Sequence, residues 1–487
     1  MLGIESSCDD TAAAVVTSDG RVLGEAIAGQ AAIHAPYGGV HPALASQAHA
    51  AAIDRVVADA LSRAGLSQHD LSAVAVTVGP GLSLCLDVGV RKARAVSRAA
   101  ALPLVPVHHM EAHTLVARLA GLAAHAASGG DGGGVLRDGE PAPAFPFLCL
   151  LVSGGHNLLV VVRGVGDYLQ LGSTLDDALG EAYDKVARML GLELNPHGGA
   201  ALEAAARLGD ASRYALSVPM QKHANCDFSF AGLKTGVRLC IESELPPEGD
   251  PGRQQAVADI AASFQSVATQ HLCQRVRRGI GWARDSLQGG SSAGSGGSSN
   301  SSSSSSSSSD GGSGSGLDGS AAALRHLVVA GGVASNQYIR QQLAQVAEAA
   351  GLQLVVPPAR WCTDNGVMVA WAGIERYRLG LYQPPLGPLQ LAAGEEQEWV
   401  DLRPRWPLTA EKHGGSTPQV RSSKAASSMA RSLTDETRDA LATLGSAAAG
   451  EAEEATRLAG GGAGAERQWA STKTAAGEAG VGAASCL

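Results

Sequence analysis

The string HMEAH, residues 109–113, sets two imidazoles four positions apart. On a helix that spacing stacks His109 and His113 on one face, one turn apart, where both can reach a single metal ion. A polar pair on a solvated helix has the same spacing, so the pair alone leaves both readings open. His108 precedes the pair, points elsewhere on a helix and is assigned no role. The order of residues excludes one chemistry. A zinc peptidase of the HExxH type carries its general base directly after the first histidine. Here Met110 holds that place, and a helical step of about 100° turns Glu111 away from the histidine face.

Two histidines need a further ligand. Asp364, in CTDNG at 362–366, follows an apolar run and a loop and precedes a helical stretch. An aspartate there also suits a plain helix N-cap. Joined to the two histidines, its carboxylate makes a set that suits iron(II) or zinc and leaves positions open for a substrate. A magnesium-dependent kinase or ATPase would favour oxygen ligands instead. The stretch 171–192 carries Asp176, Asp177, Glu181 and Asp184 in its first half, where acids complement a helix dipole. Asp184 could equally bind a ribose hydroxyl or a substrate amine. HGGAALE at 197–203 pairs a glycine turn with Glu203, and FSFAGLKT at 228–235 offers Lys234 to a phosphate or an RNA backbone.

These residues must be held by a scaffold, and one design recurs. GIESSCDDTAAAVV at 3–16 is an apolar run, a small polar turn and a second apolar run; LCLLVSGGHNLLVVV at 148–162 repeats it. Two strands joined by small residues expose backbone amides at the tip, which can cradle a phosphate or an anionic carbonyl. A third element, VVAGGVASN at 328–336, is a strand, a glycine turn and a helix start, where a nucleotide can approach the backbone. One such hairpin in each half implies duplicated lobes with a nucleotide between them. Strands are expected at 2–4, 13–17, 73–77, 104–107, 147–152, 158–162, 326–330 and 353–356. Helices are expected at 42–64, 86–100, 109–120, 174–191, 198–208, 254–280, 335–350 and 365–379. Their alternation is that of an α/β protein.

The expected organisation is an N-terminal lobe at 1–127, a glycine-rich insertion at 128–141 and a second lobe at 142–287. A serine-glycine insertion follows at 288–320, the second lobe resumes at 321–405, and 406–487 forms a tail of disordered composition. The 487 residues are 45% hydrophobic, enough for two cores, and the formal charge of −9 gives no whole-chain attraction for nucleic acid. An RNA partner would need local basic clusters, for which Arg91, Lys92, Arg94 and Arg98, and then Arg275, Arg277 and Arg278, are the candidates, although such runs are more often solvated helix faces than RNA contacts. Eight scattered cysteines form no CxxC pair, which argues against a zinc knuckle and for a reducing compartment. No apolar run spans a membrane, and no targeting peptide is visible before the first strand.

Taken together, GIESSCDDT (3–11), YGGVHPALASQAH (37–49), GPGL (79–82), HMEAH, LVSGGH (151–156), DDALGEAYDK (176–185), FSFAGLKT, GGVASN (331–336) and TDNG (363–366) resemble the tRNA adenosine threonylcarbamoyltransferase family, in particular its organellar plant and algal branch. The resemblance implies the two-lobed fold of actin, sugar kinases and heat-shock ATPases. It also implies transfer of threonylcarbamoyl from threonylcarbamoyl-adenylate, made by a separate synthase, to the amine of the adenosine beside the anticodon. By the same resemblance His109, His113 and Asp364 hold one divalent metal, iron or zinc. Leu151, Val152, Ser153, Gly154 and Gly155 line the substrate, and Asp184, Gly199, Glu203 and Asn336 contact its adenosine or threonyl part. Turn amides near Ser153 would stabilise the oxyanion, and Asp9 or Asp10 would accept the amine proton. The family usually reads PGGP where this chain reads PHGGA at 196–200, which puts the contact of Gly199 in question. The organellar likeness further implies a homodimer, in a mitochondrion or a plastid.

Overall fold

The computed structural model describes residues 1–37, 39–127, 143–194, 197–289, 323–385 and 401–414. The insertion at 128–141, the serine run from 290 onward and the tail from 415 onward lie outside these residues. The first sheet has the order β3-β2-β1-β4-β5. Its strands are β1 (Leu2–Glu5), β2 (Asp10–Val16), β3 (Val22–Gly29), β4 (Val74–Gly79) and β5 (Leu104–His108). With them run the short α1 (Ala31–His34), α2 (Pro42–Ala64), α3 (Ser83–Ala100) and α4 (His109–Ala127).

The second sheet, β8-β7-β6-β9-β10, repeats that order. It is built from β6 (Phe147–Val152), β7 (Asn157–Gly164), β8 (Asp167–Ser173), β9 (His326–Ala330) and β10 (Gln353–Val355). Its helices are α5 (Leu179–Met189), α6 (Gly198–Ala206), α7 (Ala231–Glu244), α8 (Arg253–Gly289) and α9 (Gln337–Ala349). In both sheets the first strand pairs antiparallel with the second and parallel with the fourth. This is the duplicated two-lobed α/β architecture that the repeated hairpins imply.

Two strands escape the sequence reading. β3 alternates buried and exposed positions and contains Gly24 and Gly29; β8 mixes Asp, Tyr, Gln and Gly. Each is recruited by pairing with its neighbour and not by intrinsic strand preference. The helix expected at 174–191 begins only at Leu179. Asp176 is occupied elsewhere: its carboxylate accepts from Phe230 N at 2.8 Å and from the Ser229 hydroxyl at 2.5 Å. Residues 174–178 therefore stay outside the helix, with Thr174 bridged to Phe228 and 175–177 bending, and Asp176 caps the entry to α7.

The last helices leave the second lobe. After the short α10 (Ala359–Cys362), α11 (Gly366–Arg378) packs on the first sheet, although its sequence position had assigned it to the second lobe. Close backbone approach makes this possible. A Cβ on Gly366 would stand 2.4 Å from Ala13 C, and one on Gly3 would stand 2.3 Å from Ala370 N. Trp371 is fully buried in that contact, where such a side chain contributes about 1.5–3 kcal/mol. Helix α4 lies between the sheets. Ala112, Leu115, Val116 and Leu119 pack in the first core, and Met110 and Ala117 pack under the second sheet.

Among the described residues no helix is long and apolar enough to cross a membrane. Residues 401–414 are packed on the fold: Arg403 N donates to Val78 O at 2.8 Å and His413 N to Gln170 O at 2.9 Å.

Candidate metal and transfer site

β5 ends at His108 and α4 begins at His109, so the histidine pair sits at the mouth of the first sheet, on the helix between the lobes. The rings of His109 and His113 meet edge to face with centroids 4.7 Å apart. Asp364 arrives from the far end of the chain, on the crossing from α10 to α11. Its Oδ1 lies 3.0 Å from His113 Nε2 and 3.5 Å from His109 Nε2. Helix α11 is capped by Asn365, whose side chain accepts from Met368 N at 2.8 Å. The N-cap role open to Asp364 in the sequence is thus filled by its neighbour, and its carboxylate is left for the histidines.

Among the described residues these three form a group whose donor atoms lie within 4.8 Å of one another. The surroundings fit a metal. His109 Nδ1 stands 3.2 Å from the Glu5 carboxylate and 3.1 Å from the Ser7 hydroxyl, which turns Nε2 toward Asp364. A carboxylate behind a histidine in this way fixes the ring and raises its basicity as a ligand. Glu5 is fully buried and is held by Ser7 N at 2.6 Å and by the Thr77 hydroxyl at 2.6 Å.

The charges reinforce one another. Burial alone would lower His109, but Asp364 and Glu5 outweigh it and raise the imidazole to about 9. Burial would raise Asp364, but His109 and His113 pull it below the ordinary carboxylate range. A buried cluster with excess negative charge and two imidazoles is the donor chemistry that a divalent cation neutralises.

The first hairpin turn places Asp9 and Asp10 near this cluster. His49 secures the turn, with Nδ1 2.7 Å from the Thr11 hydroxyl and Nε2 3.1 Å from Cys8 O. Burial first, then the charges of Asp364, Asp9 and Glu5, raise Asp10 to about 7. A carboxyl raised in the fold contributes stability while protonated. That contribution is complete below the ordinary value of 3.8 and is lost as pH rises through about 7. Asp10→Asn is therefore expected to raise the melting temperature of the metal-free protein by about 3 °C at about pH 8, with the gain shrinking toward about pH 5. Thermal unfolding at the two pH values checks this, and an equal shift at both would refute it.

The second hairpin carries Leu151 to Gly155. Leu151 and Val152 are buried in β6, while Gly154 and Gly155 are exposed at the tip, with open space where a Cβ would stand. Ser153 N donates to His156 O at 2.9 Å, closing the turn, and Gly180 N donates to Ser153 O at 3.3 Å. Gly331, with φ +96°, brings the third turn against this hairpin; a Cβ there would stand 2.3 Å from Val152 O. The remaining candidates form a linked series. Asp184 accepts from Gly199 N at 3.1 Å, so the altered PHGGA turn still meets Asp184, and His197 Nδ1 accepts from Ala200 N as the cap of α6. Glu203 accepts from Gln337 N at 3.0 Å, and Asn336 caps α9 through Ile339 N while donating to Gln265.

Several expectations are corrected. Arg275 is buried and donates to the carbonyls of Met220, His223 and Asn225, so it is a structural strut and no RNA contact. Lys234 pairs with Asp177. In the other basic cluster Arg91 pairs with Asp87 and Lys92 with Asp54. His108, assigned no role, is buried and bonded at both ring nitrogens. The sequence reading also passed over Glu5 and Ser7, whose only signal was their place before the first turn, and His156. His156 lies at the exposed tip of the second hairpin, and desolvation and then the charges of His109 and His113 lower its imidazole.

The two sheets, with the His–His–Asp group between them, define a two-lobed α/β protein. The family model described as TsaD, tRNA N6-adenosine threonylcarbamoyltransferase, matches residues 21–140 and 133–371. A relative from Arabidopsis thaliana named probable tRNA N6-adenosine threonylcarbamoyltransferase, mitochondrial, is 46% identical over 434 residues, covering 88% of this chain and 78% of its own. A relative from Paramagnetospirillum magneticum named tRNA N6-adenosine threonylcarbamoyltransferase is 42% identical over 414 residues, covering 85% of this chain and 98% of its own. Among solved structures, component A of an Acidaminococcus fermentans (R)-2-hydroxyglutaryl-CoA dehydratase aligns at 11% identity and a TM-score of 0.40, covering 78% of this chain and 98% of that one. The chain belongs to the tRNA N6-adenosine threonylcarbamoyltransferase family.

Proposed function

We propose that the chain transfers the threonylcarbamoyl group of threonylcarbamoyl-adenylate to the exocyclic amine of the adenosine beside the anticodon, in tRNAs reading codons that begin with A. The observation that supports this most is the meeting of His109, His113 and Asp364 between the lobes, with a buried carboxylate behind the first histidine. These three residues would hold iron or zinc, which supplies Lewis-acid polarisation of the carbamoyl carbonyl.

The chain's own groups do the rest. Leu151 to Gly155 bind the donor, and the amides of Gly154 and Gly155, at the exposed tip beside Ser153, stabilise negative charge on the carbonyl oxygen. Asp184, Gly199, Glu203 and Asn336 hold the adenosine or threonyl part. The amine nitrogen forms a bond to the carbamoyl carbon while the carbon–oxygen bond to phosphate breaks, and AMP leaves with the electron pair. The amine proton passes to Asp10 or Asp9; a carboxyl raised to about 7 is suited to accept it at neutral pH. A separate synthase supplies the donor, the working form is a homodimer, and the site of action is the mitochondrion, as the name of the Arabidopsis relative suggests.

Reconstitution with tRNA, threonine, bicarbonate, ATP and an adenylate-forming partner, followed by nucleoside analysis, tests the reading. Threonylcarbamoyl-adenosine is expected with the natural sequence and not with His109→Ala. Full modification by that variant would refute the metal-assisted mechanism.

A further inference from the structure

Residues 401–414 touch both lobes. On the first, Arg403 N donates to Val78 O at 2.8 Å and Gly81 N donates to Pro404 O at 3.2 Å. On the second, Gln170 N donates to Glu411 O at 3.1 Å and His413 N returns a bond to Gln170 O at 2.9 Å. The Glu411 carboxylate pairs with Arg163, and the His413 ring stacks on Trp282 with centroids 4.1 Å apart. Leu408, between the anchorages, packs under the second sheet, and Leu402 packs against the first core.

Trp406 lies midway, over the start of α4. Its indole rests on the His108 ring at 4.6 Å, with the Arg403 guanidinium 4.8 Å from the indole centroid. Its carbonyl oxygen is 3.0 Å from His108 Nε2. The other nitrogen, Nδ1, accepts from Met110 N at 3.1 Å. An amide N–H bonded to Nδ1 leaves that nitrogen without a proton, so Nε2–H donates to Trp406 O. The backbone thus sets the tautomer of His108 from both sides. His108 fills the place of an N-cap for α4, satisfying an amide that the helix itself leaves without a partner. It does so one residue before His109.

We infer that residues 401–414 are a strap across the two lobes, and that Trp406 and His108 are positioning residues: they hold the first turn of α4 at the angle from which His109 and His113 meet Asp364. The inference rests on the metal reading of that site. Neither residue offers an atom to the cluster. His108 has both nitrogens engaged, and Trp406 acts through its carbonyl and its ring face. Their effect on the site is therefore transmitted by orientation alone.

The test uses the full chain, stripped with chelator and titrated with Co(II), with the visible absorption of the bound ion as the readout. Trp406→Ala and His108→Ala are each expected to weaken Co(II) binding by about 10-fold, the scale seen when a group that orients a ligand is removed, and to shift the absorption bands. The double variant is expected to bind no more weakly than the poorer single one, because both changes release the same turn. Trp406→Phe, which keeps a ring against His108, is expected to bind like the natural sequence. Melting curves of the metal-free variants identify those that fold, and Trp406→Leu replaces Trp406→Ala if the latter does not. Natural affinity and bands in the folded Trp406 variant, or additive losses in the double variant, would overturn the inference. Absence of Co(II) binding by the natural sequence would instead overturn the metal reading beneath it.

Discussion

Asp364→Ala is expected to purify without bound transition metal and to lose transferase turnover by at least about 100-fold. Removing a group that merely orients a ligand costs about 10–100-fold in metal affinity. Asp364 is a proposed ligand, and it also supplies the charge that both imidazoles face, at 3.0 Å and 3.5 Å. The fold should persist, because Asn365 and not Asp364 caps α11. The experiment pairs elemental analysis of the purified variant with nucleoside analysis after reconstitution. A variant that keeps stoichiometric metal, or one that modifies tRNA at the natural rate, contradicts the ligand assignment.

Glu111→Ala should fail in a different way, by losing stability. Glu111 is buried on α4, and its carboxylate accepts from Gly166 N at 2.9 Å, the Tyr168 hydroxyl at 2.7 Å and Arg376 Nη1 at 2.7 Å. These partners come from the second sheet and from α11, so one side chain joins three elements. Its removal leaves a mostly buried guanidinium without its counter-charge, a loss of about 3–5 kcal/mol. The melting temperature should fall by roughly 10 °C. A peptidase base could be removed with the fold intact, so an unchanged melting temperature in Glu111→Ala would speak against the structural role.

How far the sequence disclosed this molecule depends on how local each signal is. The spacing of His109 and His113 is a property of one helix and is legible at once. The repeated hairpins are equally local, and they foretell two sheets of the same order. Asp364 lies 251 positions beyond His113, and nothing in CTDNG distinguishes a ligand from a cap until Asn365 is seen to do the capping. Glu5 was illegible for a related reason: a carboxylate in a short strand reads as solvent-facing, and only the fold shows it buried against His109. Arg275 fails in the opposite direction. Basic residues on a helix suggest a nucleic-acid face, yet the carbonyls that Arg275 satisfies belong to a loop about fifty residues earlier.

The return of α11 to the first sheet has a consequence for how the molecule comes into being. A growing chain emits β1 to β5 and the two histidines early, but the helix that seals the inner face of that sheet is Gly366–Arg378. Until it emerges, Ala14 and Val16 have no cover on that side, and the imidazoles lack the carboxylate of Asp364. The first lobe is thus not an autonomous unit of synthesis. It waits for nearly the whole of its partner to be made, and the same stroke of chain that closes its core delivers Asp364. Core closure and the assembly of the His–His–Asp cluster are one event.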